Sequence, residues 1–186
     1  MNDAWGLVPT EGRGSLPFAL VHGESLIAAA AFGLEAAGVE LADDSVPVDR
    51  VREAGRPLVL HDPLCPLTPV WFLAEAVELA CERALVVAGC RPVTDTVKEY
   101  AAVGEAGVRQ VLGTVDRDTL VQVTSPLVLP PAVVARLDDW PRGDFATLVD
   151  RWRRDWPLLL HEAPATGQRV VVEDDLAVLE ALTAPG

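Results

Sequence analysis

Asp62 is the residue best placed to do chemistry. It ends the apolar run Leu58-Val59-Leu60-His61 and is followed at once by Pro63. Such a run, bounded by turn residues, predicts a strand buried on both faces of a parallel sheet. The carboxylate then sits just beyond the strand's carboxyl end, where open α/β sheets bind ligands beside a topological switch point. The competing reading makes Asp62 a turn former or a cap for the next helix. That helix has its own start in Thr68-Pro69, with Thr as N-cap and Pro in the first turn. Both readings of Asp62 stand at this point.

A second candidate is the loop Pro9-Thr10-Glu11-Gly12-Arg13-Gly14-Ser15, after a first short strand Trp5–Val8. Glycine-rich loops in this position can cradle phosphate on backbone N–H groups, so Gly12 and Gly14 are candidate nucleotide contacts. Glu11 puts a carboxylate where phosphate charge would sit, and Arg13 is the nearby cation. A plain turn is the alternative. His22 and His161 lack a carboxylate or serine at suggestive spacing and read as ordinary core or surface histidines. Trp140, Trp152 and Trp156, interleaved with Arg151, Arg153 and Arg154, resemble a stacking platform for single-stranded nucleic acid. The better reading is a solvated helix end with its tryptophans packed on the core.

The elements that hold these residues follow from composition and pattern. With 186 residues, half of them apolar, the chain is expected to form one domain with a real core. A net charge of −13 disfavours nucleic acid and anionic membranes as partners. There is no run of apolar residues long enough to span a bilayer, and the first residues lack the pattern of a signal peptide. Cys65, Cys81 and Cys90 lack metal-ligand spacing; no metal site is expected, and Cys81 and Cys90 read as buried apolar groups. A cytoplasmic protein with reduced thiols is expected.

Ser25–Ala37 predicts a helix capped by Ser25 and closed by Gly38. Residues 39–56 are polar and acidic, with a short helix at Asp49–Ala54. After the Asp62 strand come a helix at Pro69–Cys81 and a buried strand at Ala84–Ala88. Alternating strands and helices make an α/β fold with a mainly parallel sheet. The segments Val93–Lys98, Val108–Thr114 and Leu120–Thr124 are half-polar and β-branched, with Asp116-Arg117-Asp118 as a turn. They predict a β arm over about residues 94–124, leaving the main sheet and pairing with a second copy. Short helices follow at Pro130–Leu137 and Asp144–Trp152, then strands at Pro157–His161 and Arg169–Val172 and a helix at Glu173–Leu182.

Several stretches then fall into a familiar order: Val59-Leu60-His61-Asp62 with Pro66, Pro92-Val93-Thr94-Asp95-Thr96-Val97-Lys98, Thr114-Val115-Asp116-Arg117, and Thr124-Ser125-Pro126. Asp144-Phe145-Ala146-Thr147 and Val172-Glu173-Asp174-Asp175-Leu176 extend the series. The set resembles the 2-C-methyl-D-erythritol 4-phosphate cytidylyltransferases of non-mevalonate isoprenoid biosynthesis, whose pieces read VHDAARP, PV-DT-K, T-DR, TPQ, TDxAS and TxPEDL. The resemblance implies a Rossmann-like nucleotidyltransferase fold and a homodimer made by the arm. It also implies a reaction in which methylerythritol phosphate attacks the α-phosphate of CTP, with Mg²⁺, and releases pyrophosphate. Asp62 then matches the residue that holds substrate hydroxyls. Thr96 and Arg117 match arm residues that grip the substrate phosphate in the neighbouring subunit's site, or else keep only the dimer geometry. Ser125 keeps a threonine's hydroxyl, and Ser45, within Asp44-Ser45-Val46, matches a serine near the base.

The departures cluster where positive charge should meet the triphosphate. The family's loop reads AAGxGxRM, with PK a few residues on. Here Leu16 stands at the catalytic arginine's position, Phe18 at the lysine's, and Glu11 replaces a small neutral residue. Cys65 replaces an arginine, and Arg169 stands in place of a third basic residue, a lysine. Arg13 precedes the second glycine and is expected to point elsewhere. The strand and loop that hold cytosine after Val39 are expected to be mostly missing. Arg13 and Arg169 are thus the remaining catalytic candidates. The preferred reading is a catalytically impaired dimeric relative, a pseudoenzyme that binds a small phosphorylated ligand or a partner. The alternatives are an active cytidylyltransferase using CTP and Mg²⁺, or a nucleotidyltransferase for another sugar phosphate with a rearranged loop.

Overall fold

A computed structural model of the protein describes residues 3–43, 45–101 and 110–184. β1 (Ala4–Leu7) runs into the glycine loop and a short 3-10 turn at Leu16–Phe18; β2 (Leu20–Val21) and β3 (Glu24–Ser25) then form a small hairpin. α1 (Leu26–Ala36) begins where the Ser25 hydroxyl accepts a hydrogen bond from the Ala28 N–H, as expected of its cap. Gly38, at φ 78°, lets the chain turn back into β4 (Val39–Leu41). α2 (Val48–Glu53) leads to β5 (Leu58–Leu60), the organising strand, all three of whose residues are fully buried.

α3 (Val70–Arg83) follows, then β6 (Val86–Pro92), β7 (Val97–Tyr100), β8 (Val111–Val115) and the long β9 (Val121–Leu129). α4 (Pro131–Val134), α5 (Phe145–Trp152), β10 (Leu158–Glu162) and α6 (Asp174–Thr183) complete the order. The main sheet has six strands in the order β10-β6-β9-β5-β1-β4. β9 is antiparallel to both of its neighbours, and the other pairings are parallel. The chain leaves β1 for β4 on one side and returns to β5 on the other, so the switch point lies at the carboxyl end of β1.

Successive residues of the central strands feed opposite layers. Val59, Val87 and Val128 pack with Leu34, Leu73 and Val77 under α1 and α3. Leu58, Leu60, Leu127 and Leu129 pack with Val51, Phe145, Leu148 and Trp152 under α2 and α5. Trp140 and Trp152 are buried in that second layer, with Trp156 half-buried against it, so these tryptophans pack on the core.

Several sequence expectations are corrected here. β4 exists and pairs with β1, so the strand after Val39 is present. Of the expected arm strand Leu120–Thr124, Val121–Thr124 belongs to β9, whose start pairs with the end of β6; β9 then runs on through Ser125–Leu129, a stretch given no element from the sequence, as the antiparallel centre of the sheet. Arg169–Val172 is not a strand; the Val171 and Val172 N–H groups donate to Asp175 Oδ2, ahead of α6. Thr68 does not cap α3, whose cap position is Pro69; its hydroxyl donates to the Cys65 carbonyl. Cys81 is exposed on α3, whereas Cys65 and Cys90 are buried. In the arm, β7 pairs with β8 as a separate two-stranded sheet, and Val108 lies outside the described residues.

The approach of β9 to β6 rests on Gly89, at an irregularity in their register. A Cβ there would come within 2.4 Å of the Ser125 carbonyl oxygen, a backbone atom that cannot swing aside. Gly89→Ala is therefore expected to destabilise the fold by about 1–3 kcal/mol, the scale of overpacking. Urea unfolding measures it; an unchanged midpoint would show that β9 yields without cost.

Candidate functional site

The register of β5 against β9 pairs Leu60 with Leu127. Two residues further on, Asp62 comes opposite Ser125, and the Ser125 hydroxyl accepts the Asp62 N–H at 2.9 Å. The same hydroxyl pairs with His61 Nδ1. Both side chains are fully buried. Burial pushes the His61 pKa down to about 4, against a smaller pull upward from the Asp62 carboxylate. His61 therefore stays neutral near pH 7.

This sets a pH dependence. The unfolded histidine takes a proton near pH 6.5 and the folded one only near 4. Between those values the unfolded state binds more protons, so stability is lost as pH falls through that window, by roughly 3 kcal/mol at its lower end. His61→Gln should flatten this slope in urea unfolding at pH 7 and pH 5. An equal slope in both proteins would remove His61 from the account.

The carboxylate of Asp62 is itself fully engaged. Arg13 Nε donates to Oδ1 at 2.7 Å, and Arg169 Nε to Oδ2 at 3.2 Å. The Leu64 N–H adds a third bond, to Oδ1 at 3.0 Å. Arg13 therefore points inward, contrary to expectation. Gly12 (φ 77°) and Gly14 (φ 60°) flank it in backbone conformations that side chains resist, and they turn the loop so that Arg13 faces β5. Its Nη1 donates to the Glu11 carbonyl, and its guanidinium lies 5.6 Å from the Phe145 ring centroid at the start of α5. Arg169 is placed by the Val170 N–H, which donates to the Leu64 carbonyl.

Two cavities open beside this cluster. One, about 400 Å³, is lined by Arg13, Arg142 and Arg169 with Gly12, Glu11 and Asp144. The other, about 430 Å³, lies over the carboxyl ends of β1 and β4, with Glu11, Asp43 and Arg142 as its charged lining and Trp140 as one wall. Arg142 faces both cavities and lies 3.4 Å from Glu11 Oε2. Sequence reading missed Arg142, although it stands just before the Asp144 segment that carries one of the motifs.

The remaining candidates do not converge here. Ser45 is exposed, and its hydroxyl donates to Asp43 Oδ1, a bond that holds the Asp43 carboxyl below its usual range. Asp44 lies outside the described residues. Thr96 and Arg117 are exposed on the arm. Arg117 Nη1 donates to the Thr94 carbonyl and borders a separate hollow with Cys90, Val93 and Glu162. Cys65 is buried behind Asp62, and burial raises its thiol pKa, so it is a packing group. Leu16 packs against Val21, Leu26, Val170 and Leu179, while Phe18 is 65% exposed. Neither lines a cavity beside Asp62. His161 stacks on Phe72 with ring centroids 4.5 Å apart and lies 3.6 Å from Glu75, away from the site.

Among the described residues no group of His, Cys, Asp and Glu side chains is arranged to hold a metal. Asp62 already serves two arginines. These residues supply no site of their own for Mg²⁺, which binds through one or two available carboxylates together with substrate phosphates. No helix among the described residues is long and apolar enough to cross a membrane.

A mostly parallel sheet with an antiparallel strand beside β5, a glycine loop after β1 and a carboxylate at the switch point define a nucleotidyltransferase-type α/β fold. The chain resembles the 2-C-methyl-D-erythritol 4-phosphate cytidylyltransferases and shares their fold over almost its whole length. The enzyme of that name from Thermus thermophilus matches with a TM-score of 0.66 and 24% identity, covering 97% of this chain and 98% of that one. A 4-diphosphocytidyl-2C-methyl-D-erythritol synthase matches with a TM-score of 0.66 and 18% identity, covering 98% and 99%. In sequence, the chain is 44% identical over 78 residues to the bifunctional enzyme IspD/IspF of Clavibacter michiganensis subsp. michiganensis (strain NCPPB 382). That match takes in 41% of this chain and only 18% of that protein's length. No family model matches the chain.

Proposed function

We propose that this protein is a divergent, catalytically silent relative of the cytidylyltransferases: a homodimer that binds a small phosphorylated ligand rather than turning over CTP. The observation that carries this reading is the engagement of Asp62. The carboxylate that would hold substrate hydroxyls is taken up by Arg13 and Arg169, so each group occupies the other. The smaller cavity takes its positive charge from three arginines, and Glu11, Asp144 and Asp62 offset it. That balance leaves little for a triphosphate, whose transfer needs cations as charge develops. A monophosphate ester at the open edge of Arg169 asks for less. The homodimer is supported by the exposed apolar residues of the arm, Tyr100, Val111, Leu112 and Val121.

The test pairs two measurements. With CTP, Mg²⁺ and methylerythritol phosphate, pyrophosphate release is expected to stay at background. Calorimetry with methylerythritol phosphate alone is expected to show binding that Arg169→Ala weakens about tenfold, as for one lost charge-assisted contact. The second reading, an active enzyme with a rearranged loop, draws on the way Arg13 and Arg169 converge on one cavity. Turnover in the ordinary enzyme range, about 1–1,000 per second, would establish it and overturn the first.

A further inference from the structure

A large hollow has no part in the Asp62 site. It is a groove of about 960 Å³ along the outer side of α1, where that helix meets the start of α3. It shares Ala31 with the larger cavity near Asp62 and nothing with the smaller one.

α1 is the unusual element. Residues 26–34 carry no charge, yet only Leu26, Ala30 and Leu34 are buried. A helix apolar all round is normally buried on every side. Here Ala28 and Phe32 face out over the groove, with Leu67 and Val70 beside them. Phe32 is 72% exposed, and Trp71, next to Val70, is 59% exposed. An apolar surface of this kind, rimmed by polar groups, marks an interaction site.

The rim says what covers it. Its carboxylates are Glu24, just before α1, and Glu35, in the last turn; among the described residues no Lys or Arg lines the groove, and its one histidine is His22. α1 rises roughly 14 Å from Leu26 to Glu35. Glu35 opposes the helix dipole, and no basic residue shares its turn. A second copy would bring its own Glu24 and Glu35 to the same rim, a like-charge contact with no Lys or Arg of the groove to relieve it. We infer that the groove docks an amphipathic helix of a partner protein, apolar on one face over about three turns and carrying Lys or Arg at both ends. Such a helix, about 10 Å across, covers the exposed ring of Phe32 and meets an acid at each end.

The experiment uses the whole protein and two fluorescein-labelled helical peptides, one with a Leu/Ala face and Lys at both ends, the other with Glu in place of Lys. Fluorescence anisotropy is expected to give micromolar binding of the Lys-ended peptide and about tenfold weaker binding of its twin, as two rim ion pairs predict. Glu24→Lys with Glu35→Lys should reverse the order. Phe32→Ser should weaken binding about tenfold or more, as loss of an aromatic anchor does. Glu53→Lys with Asp155→Lys, exposed acids elsewhere, should change nothing; circular dichroism confirms that each variant is folded. The inference fails if neither peptide binds, or if binding ignores Phe32 or follows total charge alone. A change of oligomeric state with Phe32→Ser makes the occupant a second copy and overturns it. So does a neutral apolar dye, N-phenylnaphthylamine, that fills the groove and resists displacement by the peptide.

Discussion

Asp62→Ala is expected to lower the unfolding free energy by about 3–5 kcal/mol, the cost of stranding a buried charge. Arg13 and Asp62 have side chains only 4% and 3% exposed, so neither finds water when its partner goes. Removing the carboxylate also leaves the Leu64 N–H without its acceptor and frees Arg169 Nε. Arg13→Met is expected to cost less, because Asp62 keeps Arg169 and the Leu64 N–H. The double variant Asp62→Leu with Arg13→Met should recover much of the loss, since an apolar pair of similar volume needs no desolvation of charge. Urea unfolding of all four proteins gives the coupling as a double-mutant cycle. Additive effects would show that the pair does not act as a unit and that the loop is held by other contacts.

The same pair shows what was legible in the sequence. Leu58–Leu60 and Asp62 could be read because an apolar run ending in Asp-Pro has few other meanings in an α/β chain. Ser25 and Gly38 marked the ends of α1 by side-chain chemistry alone. What failed depended on pairing across the sheet. Pro126 within Ser125–Leu129 argues locally against a central strand. β9 nonetheless runs between β5 and β6, because its neighbours bury Leu127, Val128 and Leu129 completely. β4 is three residues long and carries Glu40 in the middle, too short for any period to register. Val170-Val171-Val172 looked like a strand because β-branched residues favour one, yet the chain there spends its N–H groups on Leu64 and Asp175.

Arg13 is the instructive case at the site. Its direction is fixed by two backbone turns of positive φ, at Gly12 and Gly14, and a sequence shows the glycines without their φ. The motif order was nevertheless sound as a guide to fold, because its pieces mark strand ends and helix starts, apart from Thr124-Ser125-Pro126, which lies within β9. At the site, Ser125 and Asp62 meet within the chain, and Thr96 and Arg117 lie on the arm, where the resemblance puts them.

On the proposed reading, adding cations at Leu16 and Phe18, where the resemblance puts an arginine and a lysine, is expected not to produce cytidylyl transfer. Leu16→Arg with Phe18→Lys should leave pyrophosphate release at background with CTP, Mg²⁺ and methylerythritol phosphate. Room is not the obstacle, since a cavity of about 430 Å³ lies over the ends of β1 and β4. Direction is. Leu16 packs toward Val21, Leu26 and Leu179, so a charge placed there goes into an apolar cluster or out to solvent. Phe18, 65% exposed, lines neither cavity beside Asp62, and a lysine in its place remains solvated. Glu11 and Asp43 still face the larger cavity, and like charge in a partly desolvated pocket opposes a triphosphate. Loss of even one oxyanion-stabilising donor typically costs about 10²–10³ in rate, and here two cations are misdirected. The variant is also expected to unfold at lower urea, because Leu16 gives up its packing. Turnover at about one per second or faster in the double variant would mean that the 3-10 turn at Leu16–Phe18 swings its side chains toward the phosphates, and that substrate, not the resting loop, sets the geometry of this site.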